Sequence, residues 1–187
     1  MQLKSYVVLC AMVPFSPLWA AVPSINVGAH NVLPNTPNQP VQIYVSGVPA
    51  VAGLNLNAQI GDGWAIGTPV FSGVNLTSGT LFASNNSGAS DIGSIPGLAM
   101  YSILTNSGSI PGGSGLLATL YVDTTGLDSG TFARSLGDTL NGPTTFLSES
   151  GEVPIIITNG SLTVVPEPTG LAILATCFIP LLRRRRN

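Results

Sequence analysis

Along most of this chain, apolar and polar residues alternate one by one. In the stretch GLNLNAQI, Leu54, Leu56, Ala58 and Ile60 share one parity, and Asn55, Asn57 and Gln59 hold the other. A period of two marks a strand with one buried and one wetted face, because successive side chains of an extended chain point to opposite sides. VQIYVS sets Val41, Ile43 and Val45 against Gln42, Tyr44 and Ser46. GLLATLYVD sets Leu116, Ala118, Leu120 and Val122 against Leu117, Thr119 and Tyr121. Further short strands are expected near 25–27, 69–72, 79–84, 98–105, 131–136, 153–157 and 161–165, separated by turn-forming runs such as GDG, NNSG, PGGSG and GLDSG. Nothing between 22 and 165 has a helical period with caps. Nine or ten strands so spaced predict an all-β fold, an antiparallel β-sandwich of the jelly-roll kind. Leu54, Leu56, Ile60, Leu116, Leu120 and Val122 should be buried together, with Asn55, Asn57 and Gln59 facing water.

Both ends of the chain break this pattern. Residues 1–21 begin with Lys4, continue through an apolar run from Tyr6 to Val13, and meet Pro14 and Pro17 before Ala20 and Ala21. A short positive region, an apolar core and small residues at the end predict a secretory signal peptide cleaved after Ala20 or Ala21. Cys10 lies inside the apolar run and lacks the small neighbours of a lipoprotein cysteine. At the other end, residues 170–182 are uncharged and mostly apolar, and Arg183, Arg184, Arg185 and Arg186 follow. As a helix the run spans roughly 20 Å, short of the ~30 Å hydrocarbon core of a bilayer. Fixed positive charge behind it is a stop-transfer signal, and long arginine side chains recover some length by snorkelling. A short transmembrane helix with its arginines on the cytoplasmic side is therefore expected.

Pro166, Glu167 and Pro168, then the apolar run, then the arginine cluster resemble a PEP-CTERM sorting signal. That resemblance implies processing by an exosortase, a membrane enzyme of Gram-negative bacteria, after export by the secretion machinery. Its implied destination is the cell surface or an extracellular matrix. Three segments follow: a signal peptide (1–21), a β-sandwich (22–165) and a sorting tail (166–187).

The central segment of about 145 residues is one domain's worth, able to bury about 68–70% of its unfolded surface. Both cysteines, Cys10 and Cys177, lie outside it, which excludes disulfides, cysteine-zinc clusters and a thiol nucleophile. Seven acids face Arg134 alone. So acidic a surface, with nothing to neutralise phosphate, excludes nucleic acid as a partner.

The order of strands, with VQIYV second, GLNLNAQI third, GSGLLATLYV late and NGSLTVV last, is similar to a cohesin-like domain of the carbohydrate-binding-module type over residues 25–165. The resemblance implies a module that binds another protein, as cohesins bind dockerins, or a polysaccharide. It departs at Trp64, which stands where an acidic turn is usual.

Catalysis finds little support. Asp123 and Asp128 in DTTGLDSG could sit at a glycosidase spacing, but Asp, Thr and Gly are also what turns require. Glu149 and Glu152 are similar, and His30 is the lone histidine, in a run of Asn and Pro. The calcium-loop pattern is absent, although scattered loop Asp and Asn leave weak calcium binding open. No cofactor is expected. Sugar rings stack on flat side chains while their hydroxyls pair with amides and carboxylates. Trp64 with Asp62 in GDGWAIG, and Tyr44 and Tyr121 on polar parities, are therefore candidate glycan contacts. Trp64 could instead plug one end of the sandwich. The expected function is a non-catalytic surface or matrix module for structure or protein binding, with carbohydrate binding as the alternative.

Overall fold

The computed structural model describes residues 22–64, 67–138 and 142–166. The expected signal peptide, and Glu167, Pro168, the apolar run and the four arginines of the expected tail, lie outside the described residues. The described chain is all β: β1 (Ser24–Asn26), β2 (Ala29–Val32), β3 (Gln39–Val48), β4 (Gly53–Ile60), β5 (Val70–Asn75), β6 (Ala89–Asp91), β7 (Leu98–Leu104), β8 (Gly113–Asp123), β9 (Gly130–Ser135), β10 (Gly137–Asp138), β11 (Gly142–Pro143), β12 (Thr145–Ser148), β13 (Gly151–Val153), β14 (Ile156–Thr158) and β15 (Gly160–Val164). The first sheet runs β14-β1-β3-β8-β5. The second runs β13-β12-β4-β9-β15-β2, with β7 along the other edge of β4 and β6 beyond β7.

The inner faces follow the period of two. Ile25, Ile43 and Val45 from the first sheet meet Leu54, Leu56, Ala58, Ile103 and Phe146 from the second in one buried cluster. A smaller cluster of Val32, Val41, Ile60, Val122, Leu162 and Val164 closes one end.

Four expectations are corrected. The sandwich is mixed rather than purely antiparallel: β1 pairs in parallel with β14, and β2 in parallel with β15. The parity of β8 reverses partway. Ile43 faces Ala118, whereas Tyr44 faces Leu116, so Leu117 is an extra residue without an opposite partner. This bulge turns Leu117 into the core in place of Leu116, which is only half-buried.

Third, Asn57 is buried on the outer side of β4. β12 covers Gly53, Leu54 and Asn55 of that edge, and β9 covers Gln59 and Ile60. Thr144 fills the gap, its Oγ1 accepting from the Asn57 amide at 2.9 Å and donating to the Asn57 carbonyl at 3.1 Å. The Asn57 Nδ2 donates to the Gly142 carbonyl at 2.7 Å. A side chain thus replaces a missing strand, and Asn57 lies beneath it. Asn55 and Gln59 stay at the surface as expected.

Fourth, residues 79–84 form turns, not a strand. The Thr80 hydroxyl donates to the Leu76 carbonyl and the Asn86 amide to that of Phe82. Each tightens the chain, and Phe82 is driven fully into the core.

Candidate functional site

Two outer surfaces carry unusual side chains. On the second sheet, the wetted parity of β12, β4, β7 and β6 brings together Thr145, Leu147, Asn55, Met100, Ser102, Leu104 and Ser90 through the pairings of those strands. Gly53 explains how the apolar part is built. A Cβ there would lie 2.6 Å from a Leu104 methyl and 3.6 Å from one of Leu147. Glycine therefore lets the two leucines converge above the strand, and Leu104 remains 49% exposed. Nearby, a shallow cavity of about 290 Å³ is lined by Asn55, Asn57, Ile92, Met100, Thr145 and Glu152. The face is amide- and hydroxyl-rich, and the one carboxylate lining the cavity is Glu152 of β13.

On the first sheet, a groove of about 600 Å³ is lined by Asn26, Gly28, His30, Gln42 and Tyr44 among others. Its rim is a tight turn from β1 to β2. Gly28 adopts a positive φ of 69°, where a side chain would be strained, and its amide donates to Asn26 Oδ1 at 3.0 Å. His30 Nε2 donates to the Val27 carbonyl at 3.0 Å. A carbonyl only accepts, so Nε2 carries the proton and Nδ1 keeps its lone pair in the neutral ring. From β3, the Tyr44 hydroxyl donates to Gln42 Oε1 at 2.9 Å, and the Tyr44 ring is 54% exposed.

Behind this rim lies Arg134 of β9, fully buried and the only formal cation among the described residues. Its Nη2 donates to the same Val27 carbonyl that His30 uses. Its Nε and Nη1 have no hydrogen-bond partner among the described residues. Burial pushes the guanidinium pKa down to about 10, so it stays charged at neutral pH. His30 is held below its ordinary value by burial first and by the Arg134 charge second, against the opposing Val27 hydrogen bond.

The structure brings Tyr44 together with His30 and Asn26, and leaves the other glycan candidates elsewhere. Tyr121 lies one strand away on the same sheet, half-buried between Pro40 and Gly73. Trp64 and Asp62 occupy the loop after β4, where Asp62 Oδ1 accepts the Trp64 amide at 3.0 Å. At 58% exposure Trp64 is no plug. Asp123 accepts the Thr125 amide at 2.7 Å and has a turn role; the Thr125 hydroxyl first, and this amide second, hold its carboxyl below the usual range. Asp91 does the same for Gly93 and Ser94. Among the described residues no three metal-ligating side chains converge, and no helix is long and apolar enough to cross a membrane. The sequence marks His30 only as a lone histidine and Arg134 only as a lone cation among seven acids, and their meeting at the Val27 carbonyl depends on the fold.

No protein-family model and no curated protein matches the chain. Solved structures do. A non-cellulosomal cohesin from the hyperthermophilic archaeon Archaeoglobus fulgidus superposes with a TM-score of 0.58 at 16% identity, covering 81% of this chain and 97% of that one. CaCohA2 from Clostridium acetobutylicum gives 0.59 at 18%, covering 77% and 91%. A chain of the Coh-OlpA-Doc918 complex, a type I cohesin–dockerin complex from Clostridium thermocellum, gives 0.59 at 10%, covering 78% and 100%. The fold is therefore a cohesin-like β-sandwich, as the strand order of the sequence implied.

Proposed function

We propose that the chain is an exported, non-catalytic cell-surface protein whose sandwich is a protein-interaction module, docking through the outer face of β12, β4, β7 and β6. The observation that carries this reading is the pair Leu104 and Leu147 closing over Gly53 amid Asn55, Ser102, Ser90 and Thr145. An apolar centre within a polar rim is how protein interfaces concentrate their binding energy. The likeness to a cohesin solved within a cohesin–dockerin complex supports the same reading. A protein partner suits a face spread over four adjacent strands, and the small cavity lined by Asn55, Met100 and Thr145 can receive one of its side chains.

The pattern of residues 1–21 supports export. That of Pro166, Glu167 and Pro168 with Arg183, Arg184, Arg185 and Arg186 supports sorting by an exosortase, the arginines holding the tail until the proline pair is reached. Proline lacks an amide donor and disfavours helix in the residue before it, which keeps that segment extended for a processing enzyme.

Affinity capture from the host's surface fraction tests the docking face. The partner should be retained by the wild type and by Tyr44→Ala, and lost with Leu104→Arg. If no protein follows that pattern, the docking reading fails. The mass of the mature C-terminus tests the tail: a chain still ending at Asn187 with and without the host's exosortase refutes sorting.

A further inference from the structure

We propose that the groove on the first sheet is a second binding site, taking a uronic acid unit of an acidic polysaccharide, with Arg134 attracting the carboxylate from behind the rim. This goes beyond the docking reading and uses the opposite sheet. Three observations converge on it.

The first is the hydrogen-bonding balance of the rim. Asn26 Oδ1 is committed to the Gly28 amide, and Gln42 Oε1 to the Tyr44 hydroxyl. Each amide oxygen already accepts one internal hydrogen bond, whereas neither NH₂ group has a hydrogen-bond partner among the described residues, so both remain as donors. Such a rim suits a ligand rich in acceptors, which a carboxylate and ring hydroxyls supply. The second is the exposed ring of Tyr44, a flat apolar surface of the kind that sugar faces stack on.

The third is charge. The described domain is strongly acidic, which on its own would repel a polyanion. Yet no acid lines this groove, and the one cation of the described residues stands behind it. Arg134 cannot touch a ligand, because it is fully buried and the Val27 carbonyl and His30 stand near it. It acts through its field, which is poorly screened because the charge is held out of water. A neutral sugar would gain nothing from that charge. A carboxylated one would, and a buried guanidinium with two unpaired nitrogens is otherwise an expensive fixture. Arg134 is a positioning residue in this account, not a contact.

The experiment uses the full chain in EDTA, so that calcium bridging of the glycan plays no part. Binding of galacturonate, guluronate and glucuronate hexamers is measured by calorimetry at low salt, beside the fully methyl-esterified hexamers as uncharged controls. At least one acidic hexamer should bind, and its ester should bind at least about tenfold more weakly, the effect of one partly desolvated charge. Tyr44→Ala should remove binding. Arg134→Met should weaken the acidic hexamer by about tenfold and leave the ester unchanged. Gln42→Glu, a change on an exposed side chain, should abolish binding of the acid alone and guards against a misfolded Arg134 variant. At about 0.5 M salt the gap between acid and ester should narrow. Equal binding of acid and ester, no binding of any hexamer, or indifference to both Arg134→Met and Gln42→Glu would each overturn the proposal. Leu104→Arg should leave glycan binding untouched, which separates this site from the docking face.

Discussion

Replacing Arg134 by methionine should make the free protein more stable. The guanidinium is fully buried, its Nε and Nη1 lack partners among the described residues, and burial alone brings its pKa down to about 10. A fall of more than two pKa units from the usual arginine value corresponds to about 3 kcal/mol of penalty on the charged form, at 1.36 kcal/mol per unit. Against this stands one charged hydrogen bond to Val27, whose net worth is about 1.5–3 kcal/mol. Its loss does not orphan the carbonyl, because His30 Nε2 still donates to it at 3.0 Å. Methionine also fills much of the same volume with a flexible apolar chain. The balance predicts a gain of about 1 kcal/mol. For a domain of this size that raises Tm by about 2–4 °C. The guanidinium itself stays protonated throughout this range, but its charge also lowers the His30 pKa, so the gain should be smallest near pH 8 and grow as pH falls towards 6. Urea denaturation gives the free energy and thermal melting gives Tm. A loss of about 1 kcal/mol or more in Arg134→Met, with an unchanged m-value, would mean that the charge is fully compensated and that the cost assigned to it is wrong.

Three further outcomes follow from the same geometry. His30 is held below its ordinary pKa of about 6.5, so the unfolded chain takes up its proton first: stability should fall as pH drops below about 6.5, and His30→Asn should flatten that part of a pH series of urea melts. Gly160→Ala would place a Cβ 1.8 Å from the Gly28 carbonyl oxygen, so backbone must move and the loss should reach about 3 kcal/mol in urea melts. Leu117→Ala should cost about 2–5 kcal/mol and Leu116→Ala about 1 kcal/mol or less; the reverse order would place the bulge of β8 elsewhere.

Much of the sandwich was legible because burial on a strand is written in the sequence with a period of two. Leu54, Leu56 and Ile60 went inside and Asn55 and Gln59 stayed out on that signal alone. What failed was whatever depended on a distant partner. The bulge at Leu117 is set by how β3 meets β8, and residues 79–84 were β-rich in composition but folded by Thr80 and Asn86 bonding their own backbone. Asn57 is buried by Thr144, 87 residues on. The functional surfaces divide the same way. Tyr44 and Gln42 were visible by parity on one strand. Arg134 meets Val27 across 107 residues, a distance over which no local pattern speaks.

The parallel pairing of β2 with β15 also sets the order in which the chain can fold. β2 has no other strand beside it, and its register opposes Ala29 to Ser161 and Val32 to Val164. The beginning of the domain therefore waits for the end. Closing so large a loop is entropically expensive, and contacts of long sequence separation slow folding. A ribosome or a translocation channel that released the chain piece by piece would hold an open sheet edge until the last strand emerged. Removing β15 should for that reason leave a chain with little native structure rather than a slightly shorter domain, and a lasting, unpaired β2 is where such a fragment would begin to aggregate.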